Sequence, residues 1–210
     1  MVNYFENYLK AVDDPLPELR ETFENEFNFL KEQVRSTDSV LEIGCGIGRP
    51  AGALAKYVDH LTAIDNDPRM IKEAKNRYRA SNLTFLEGDA LSLLFEDDTF
   101  DLVYSTYNVI GSLYDRDIQT FVNEMARVSK GKVINITWQQ RDEVTDFLKR
   151  HHEHIGLKVI EADRDKMVTS HGTFLRLSQT KFLELYKRAG LGSIQFVNIE
   201  PLWYAAIGFN

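Results

Sequence analysis

The chain has 210 residues, 43% of them hydrophobic and 27% charged, with a formal net charge of −7; a core that needs no metal or disulfide staple is expected, and disorder is not. The acidic balance disfavours a nucleic-acid partner, because gripping phosphates takes a basic face. The single cysteine, Cys45, precludes an intramolecular disulfide and fits a cytoplasmic setting, and neither a membrane-length apolar run nor a basic-then-apolar leader at Met1–Glu6 is read, so no membrane association is expected.

In chain order, residues 2–35 read as helical: Phe23, Phe27, Leu30 and Val34 recur at helix spacing, and Asp13-Asp14-Pro15-Leu16-Pro17 divides the segment in two. From Ser39 onward, short β-rich runs alternate with helix-period segments. The strands are expected at 40–43, 61–64, 83–86, 100–104 and 132–137, the helices at 50–57, 68–79, 116–128 and 141–155. Short, nearly continuous apolar runs suit strands covered on both faces, so the pattern predicts an α/β fold with a parallel sheet between helical layers. The tail breaks the alternation. Residues 158–161 and 167–175 read as strands, 179–189 as a helix ended by Gly190, and 193–199 with 203–208 as a hairpin turning at Glu200-Pro201. No change of composition marks a second domain, so one domain over 1–210 is expected, with an insertion over 141–176.

The most informative segment is Val40-Leu41-Glu42-Ile43-Gly44-Cys45-Gly46-Ile47-Gly48-Arg49-Pro50. A buried strand runs into three glycines, and a helix follows with Pro50 at its start. Glycine allows tight turns and close approach of a ligand to the backbone, and the helix start offers unpaired N–H groups. A dinucleotide fingerprint would place its third glycine at 49, which is arginine here. Glu42 suits a ligand carrying positive charge better than a pyrophosphate. Asp65 ends the second strand, 21 residues after Gly44, where a carboxylate can accept from both hydroxyls of a ribose. Asp67, before Pro68, fits a helix cap. Asp89 follows the third strand in Leu86-Glu87-Gly88-Asp89-Ala90, as a ligand contact or a plain surface turn.

In order and spacing these stations resemble the class I S-adenosylmethionine-dependent methyltransferases, of the type 11/25 kind, strongly over residues 38–138. The resemblance implies a Rossmann-like, doubly wound, seven-stranded, mostly parallel sheet in the order 3-2-1-4-5-7-6, with strand 7 antiparallel. It implies S-adenosyl-L-methionine as the methyl donor, held by Glu42, Gly44, Cys45, Gly46, Gly48, Asp65, Asn66, Met70, Asp89, Ala90 and Ser105. Asp101 is expected to be structural.

Acceptor residues are expected after the fourth strand, in Ser105–Leu113. Tyr107 and Asn108 are candidates to polarise or position the acceptor, although Tyr107 packing in the core reads equally well. Tyr4 and Tyr8 lie one helical turn apart and are candidates, with Trp138, for the substrate side, residues 1–35 serving as a helical lid; a ring near a sulfonium is favourable, but ordinary packing gives the same spacing. Arg176 is a candidate partner for a substrate carboxylate. The run His151-His152-Glu153-His154 reads as a solvated helix end rather than a metal site, and no metal is expected. No Asn-Pro-Pro-Tyr tetrapeptide, no carboxylate cluster at 105–108 and no free cysteine outside the loop are found. These gaps disfavour three specialised methylation chemistries and leave a small-molecule acceptor as the leading reading. A protein or RNA methyltransferase, or a non-catalytic donor-binding subunit, remains the alternative. The sequence carries no indication of oligomeric state.

Overall fold

The computed structural model describes residues 4–113 and 115–210; the first three residues of the expected lid lie outside that range. Two helices, α1 (Tyr4–Asp13) and α2 (Pro17–Gln33), precede a regular alternation: β1 (Ser39–Ile43), α3 (Arg49–Leu54), β2 (His60–Asp65), α4 (Pro68–Arg77), β3 (Leu83–Glu87), β4 (Phe100–Ser105), α5 (Asp115–Val128), β5 (Ser129–Trp138) and α6 (Asp142–His154). Three short strands follow, β6 (Val159–Ala162), β7 (Lys166–Thr169) and β8 (Gly172–Leu175), then α7 (Gln179–Arg188), β9 (Ser193–Ile199) and β10 (Trp203–Phe209). Local chemistry sets the boundaries. Pro17 opens α2, the Asp67 carboxylate accepts from the Arg69 amide at the start of α4, and the Ser178 hydroxyl accepts from the Lys181 amide at the start of α7.

The main sheet has the order β3-β2-β1-β4-β5-β10-β9. β1 to β5 are parallel, and β10 runs antiparallel to both neighbours. Since β9 and β10 are the sixth and seventh strands of this sheet along the chain, the order is the expected one.

Alternate residues of the central strands feed two cores. Val40, Leu102, Tyr104, Ile134, Ile136, Trp203 and Ala205 pack on one face with Leu19, Leu30, Leu54 and Phe147. Leu41, Ile43, Val103, Val133, Tyr204 and Ala206 pack on the other with Phe121, Val122, Phe182 and Tyr186. Burial on both faces explains why these strands read as unbroken apolar runs. At roughly 25 cal/mol per Å2 of apolar surface, these two layers supply the main favourable term in folding.

One expectation is corrected. Residues 167–175 form not one strand but the hairpin β7–β8, because the chain turns at Ser170-His171 into Gly172 at φ +141°. With β6 they make a separate three-stranded antiparallel sheet. Among the described residues, no helix is long and apolar enough to cross a membrane.

The strand order reverses between β1 and β4, and the loops leaving their carboxyl ends therefore diverge. Such a crevice is where open α/β sheets bind ligands.

Candidate active site

Gly44, Gly46 and Gly48 have φ of +71°, +53° and +79°, backbone that side-chain-bearing residues adopt only under strain. The amides of Gly44 and Cys45 both donate to the Ile64 carbonyl, which pins the turn to the end of β2. The Gly46 amide donates to Asp65 Oδ2 at 2.8 Å, and the Asp67 amide to Oδ1 at 3.0 Å. Asp65 is thus fixed by two backbone bonds, while each carboxylate oxygen keeps a further lone pair. Burial pushes its pKa up, against the lowering effect of those amides.

A cavity of about 250 Å3 opens here, with Gly44, Asp65, Asn66, Gly88, Asp89 and Ala90 in its wall. Asp89 Oδ1 accepts from the Leu91 amide at 2.9 Å, which fixes the turn after β3. Bare backbone at two glycines beside two carboxylates fits a nucleoside that offers hydroxyl and amino hydrogens. The residues present therefore suit S-adenosylmethionine.

Several residues expected in that cavity lie elsewhere. Glu42 is fully buried beneath the turn. Tyr104 Oη donates to its Oε2 at 3.0 Å, and Oε1 has no protein partner. Burial pushes the Glu42 carboxyl up to about 8. Its charged neighbours are Arg49 and Glu26, an ion pair at 2.5 Å. Cys45 and Met70 are buried without reaching the cavity wall. At Gly48 an added Cβ would meet the Phe85 ring at 2.7 Å and Ala74 at 3.1 Å, so this glycine serves helix-to-strand packing. Ser105 donates to Asn135 Oδ1 at 2.6 Å inside the sheet. The Arg176 guanidinium, expected to face substrate, is buried and donates to the carbonyls of Gln139 and Asp163 and to Thr145 Oγ1, tying the small sheet to α6.

A second, smaller cavity of about 60 Å3 adjoins the first, and Tyr4 and Ser112 belong to both walls. Tyr107 is its hub. The ring centroids of Tyr8, Phe23, Trp138 and Trp203 lie 5.6 to 6.0 Å from that of Tyr107. Tyr8 also covers the glycine turn: a Cβ on Gly46 would meet its hydroxyl at 2.5 Å.

Tyr107 and Asn108 have φ of +52° and +63°. Two consecutive left-handed residues without glycine cost roughly 1–3 kcal/mol each. The Asn108 side chain holds them there, donating to the Leu175 carbonyl at 3.0 Å and accepting from Thr137 Oγ1. Its amide is therefore engaged with protein, and Asn108 shapes the wall rather than offering a free polar group.

Tyr107 Oη lies 2.9 Å from His151 Nε2. The expectation of a solvated histidine run is overturned at two positions: His151 and His152 are 2% and 8% exposed. Val144, Phe147, Leu148 and His151 form one apolar stripe of α6, and the His151 ring stacks on Phe147 at 5.6 Å. That i, i+3, i+4, i+7 spacing was the signal for burial. Burial, with His152 and His154 adding to it, pushes the His151 pKa down to about 3, so the ring is neutral. His154 faces outward toward Asp14. Asn7 of α1 was also missed; it lines this cavity and donates to the Ile155 carbonyl. Among the described residues, no three or more metal-ligating side chains converge.

A strand–glycine turn–helix corner at a sheet's switch point, with carboxylates ending the next two strands, defines a nucleoside-binding α/β protein. A family model described as a methyltransferase domain matches residues 40–132, from β1 into β5. Over these residues the chain matches that domain, and its fold is that of a solved S-adenosylmethionine-dependent methyltransferase of Thermotoga maritima, with a TM-score of 0.70 at 17% identity over 98% of this chain and 97% of that one. It is 30% identical over 145 residues to a sterol 24-C-methyltransferase of Gibberella zeae, covering 65% of this chain and 37% of that protein. It is 28% identical over 186 residues to the chloroplastic tocopherol O-methyltransferase of Arabidopsis thaliana, covering 84% and 51%. The matched stretch thus spans only about a third to a half of these curated relatives. A crystal structure of a Pyrococcus horikoshii OT3 protein shares the fold at a TM-score of 0.79 and 23% identity, over 100% of this chain and 99% of that one.

Proposed function

We propose that this chain transfers the methyl group of S-adenosylmethionine to a small molecule seated in the aromatic cavity. The observation that carries the reading is the juxtaposition of the two cavities, with Tyr4 and Ser112 as shared walls. Asp65 and Asn66 are assigned to the ribose, Asp89 and Ala90 to the adenine, and the Gly44–Gly46 backbone to the methionine end. S-adenosylmethionine supplies a methyl already activated on a sulfonium, so the protein's part is alignment and exclusion of water. Tyr8 and Tyr107 present aromatic rings where that positive charge would lie, and α1 serves as the lid. A space of about 60 Å3 suits a small acceptor better than a polymer, and the net charge of −7 disfavours RNA. The acceptors named for the relatives, a sterol and tocopherol, are small molecules too. A cytoplasmic setting fits the lone buried thiol.

Calorimetry with S-adenosylhomocysteine tests the cofactor half. Asp65→Asn removes one acceptor oxygen facing the ribose and should weaken binding about tenfold, since a hydrogen bond to a charged group contributes roughly 1.5–3 kcal/mol. Unchanged affinity would remove the assignment.

A further inference from the structure

The glycine turn has almost no hydrogens left to give. Its amides at Gly44, Cys45, Gly46 and Gly48 are spent inside the protein, on the Ile64 carbonyl, Asp65 Oδ2 and the Cys45 carbonyl. The remaining amide belongs to Ile47, which has no solvent exposure. The methionine end of S-adenosylmethionine carries an ammonium and a carboxylate. Backbone carbonyls can accept from the ammonium, whereas the carboxylate only accepts and needs a hydrogen from the protein. Taken out of water without one, it carries a large desolvation cost.

Four residues on the two cavity walls bear hydroxyls: Tyr4, Tyr8, Tyr107 and Ser112. Tyr107 Oη pairs with His151 Nε2 at 2.9 Å, and Ser112 Oγ donates to the Asn108 carbonyl at 3.4 Å. The hydroxyls of Tyr4 and Tyr8 have no hydrogen-bond partner among the described residues, and the Tyr8 oxygen is not one of the polar atoms sealed in the core. Charge separates these two. Tyr4 feels Asp65 and Asp67, which repel an anion. At Tyr8 the leading charge is that of Arg49, ahead of Asp65. Glu26, the partner of Arg49 at 2.5 Å, is not among the leading charges there, so Tyr8 faces the positive end of that ion pair. Position agrees with charge. A Cβ built on Gly46 would meet the Tyr8 hydroxyl at 2.5 Å, so this oxygen stands directly over the turn. Its ring is set edge-on to Tyr107 at 5.8 Å, and α1 is tied down beside it by Asn7 to the Ile155 carbonyl and by Asp13 to Arg77.

We propose that Tyr8 binds the methyl donor, its hydroxyl donating to the carboxylate of the methionine end. This rests on the methyltransferase reading above and deepens it: the Gly44–Gly46 backbone shapes that end of the site, and the lid supplies the hydrogen that the turn lacks. Burial pushes the phenol pKa well above its ordinary 10, so the hydrogen is in place at neutral pH. Because Tyr8 lies on α1, gripping the carboxylate and holding the lid closed are one event. A nucleoside thioether without the carboxylate fills the larger cavity but gives Tyr8 nothing to hold.

Calorimetry on the full chain compares S-adenosylhomocysteine with its decarboxylated counterpart, which keeps the nucleoside, the sulfur and the amine. The unaltered chain should prefer the carboxylate-bearing ligand by roughly tenfold or more, the usual scale for a hydrogen bond to a charged group. Tyr8→Phe keeps the ring against Tyr107 and removes only the hydroxyl. It should weaken S-adenosylhomocysteine by about tenfold and leave the decarboxylated ligand within about twofold. Tyr4→Phe should leave the preference as it is in the unaltered chain. The proposal is overturned by no preference in the unaltered chain, by an undiminished preference in Tyr8→Phe, by equal losses for both ligands, or by a loss of preference in Tyr4→Phe instead. Tighter binding by Tyr8→Phe would overturn it too, since the hydroxyl would then merely fill the site. Failure of S-adenosylhomocysteine to bind the unaltered chain at all would instead sink the methyltransferase reading beneath it.

Discussion

Replacing Glu42 with Gln isolates one buried carboxyl whose ionisation the fold opposes. Glu42 has no solvent exposure, and burial is the main reason its pKa stands near 8 rather than at the ordinary 4.5 of a glutamate. Between those two values the folded chain keeps a proton that the unfolded chain has released. Stability therefore falls as pH rises from about 4.5 to 8, and levels off above it. At about 1.4 kcal/mol per pH unit, the span sets a ceiling of about 5 kcal/mol. Relaxation and water entry around the ionised group reduce it, so about 2–5 kcal/mol is expected. Glutamine is neutral at every pH and can still accept from Tyr104. Urea unfolding of both proteins at pH 5, 6, 7, 8 and 9 gives the difference in stability free of other titrating groups. That difference should grow in favour of the variant from pH 5 to 8. A difference that is constant with pH, or that shrinks, would refute the placement of a protonated carboxyl beneath the glycine turn.

Two further outcomes follow from the same structure. Gly48→Ala should cost about 2–4 kcal/mol by urea midpoint, combining left-handed backbone for a side-chain-bearing residue with overpacking against Phe85 and Ala74; a loss under 1 kcal/mol would contradict the tight contact. His151 has the opposite sign to Glu42. Its folded pKa lies below the ordinary 6.5, so the unfolded chain takes up a proton first as pH falls, and stability drops by up to about 1.4 kcal/mol per unit from pH 6.5 toward 3. His151→Phe should remove that slope, whatever constant offset the lost bond to Tyr107 adds, and acid titration of stability would show two parallel curves if the ring were solvent-exposed.

Much of the fold was legible because both faces of the sheet are covered. Strands buried on two sides must be apolar at nearly every position, and Val40–Ile43 or Phe100–Tyr104 could hardly be anything else. The antiparallel last strand and the sheet order came through resemblance rather than periodicity. The hairpin at 170–171 was missed because Met167–Leu175 is β-prone throughout. What bends it is Gly172 at φ +141°, and a lone glycine inside a strand pattern reads as a bulge as readily as a turn.

The two halves of the site differ in a way that follows from chain geometry. The wall of the larger cavity is assembled from three successive strand ends. Each lies one βα unit from the next, so Gly44, Asp65 and Asp89 fall at spacings the fold itself fixes. Even there, spacing locates a residue without saying which way its side chain turns. Glu42 and Gly44 are two positions apart, yet Glu42 is buried within β1 while Gly44, left-handed just past the strand's end, lies on the cavity. The aromatic side is assembled from α1, the loop after β4, the end of β5, α6 and β8, segments up to 170 residues apart when Tyr4 and Phe174 are compared. No periodicity joins such segments. His151 reached the site because the stripe Val144–Phe147–Leu148 rotates it inward, and only the burial of that helix face turns a histidine run into one neutral ring paired with Tyr107. Motifs thus report a wall built from local turns, while a wall built by tertiary packing shows only once the chain is folded.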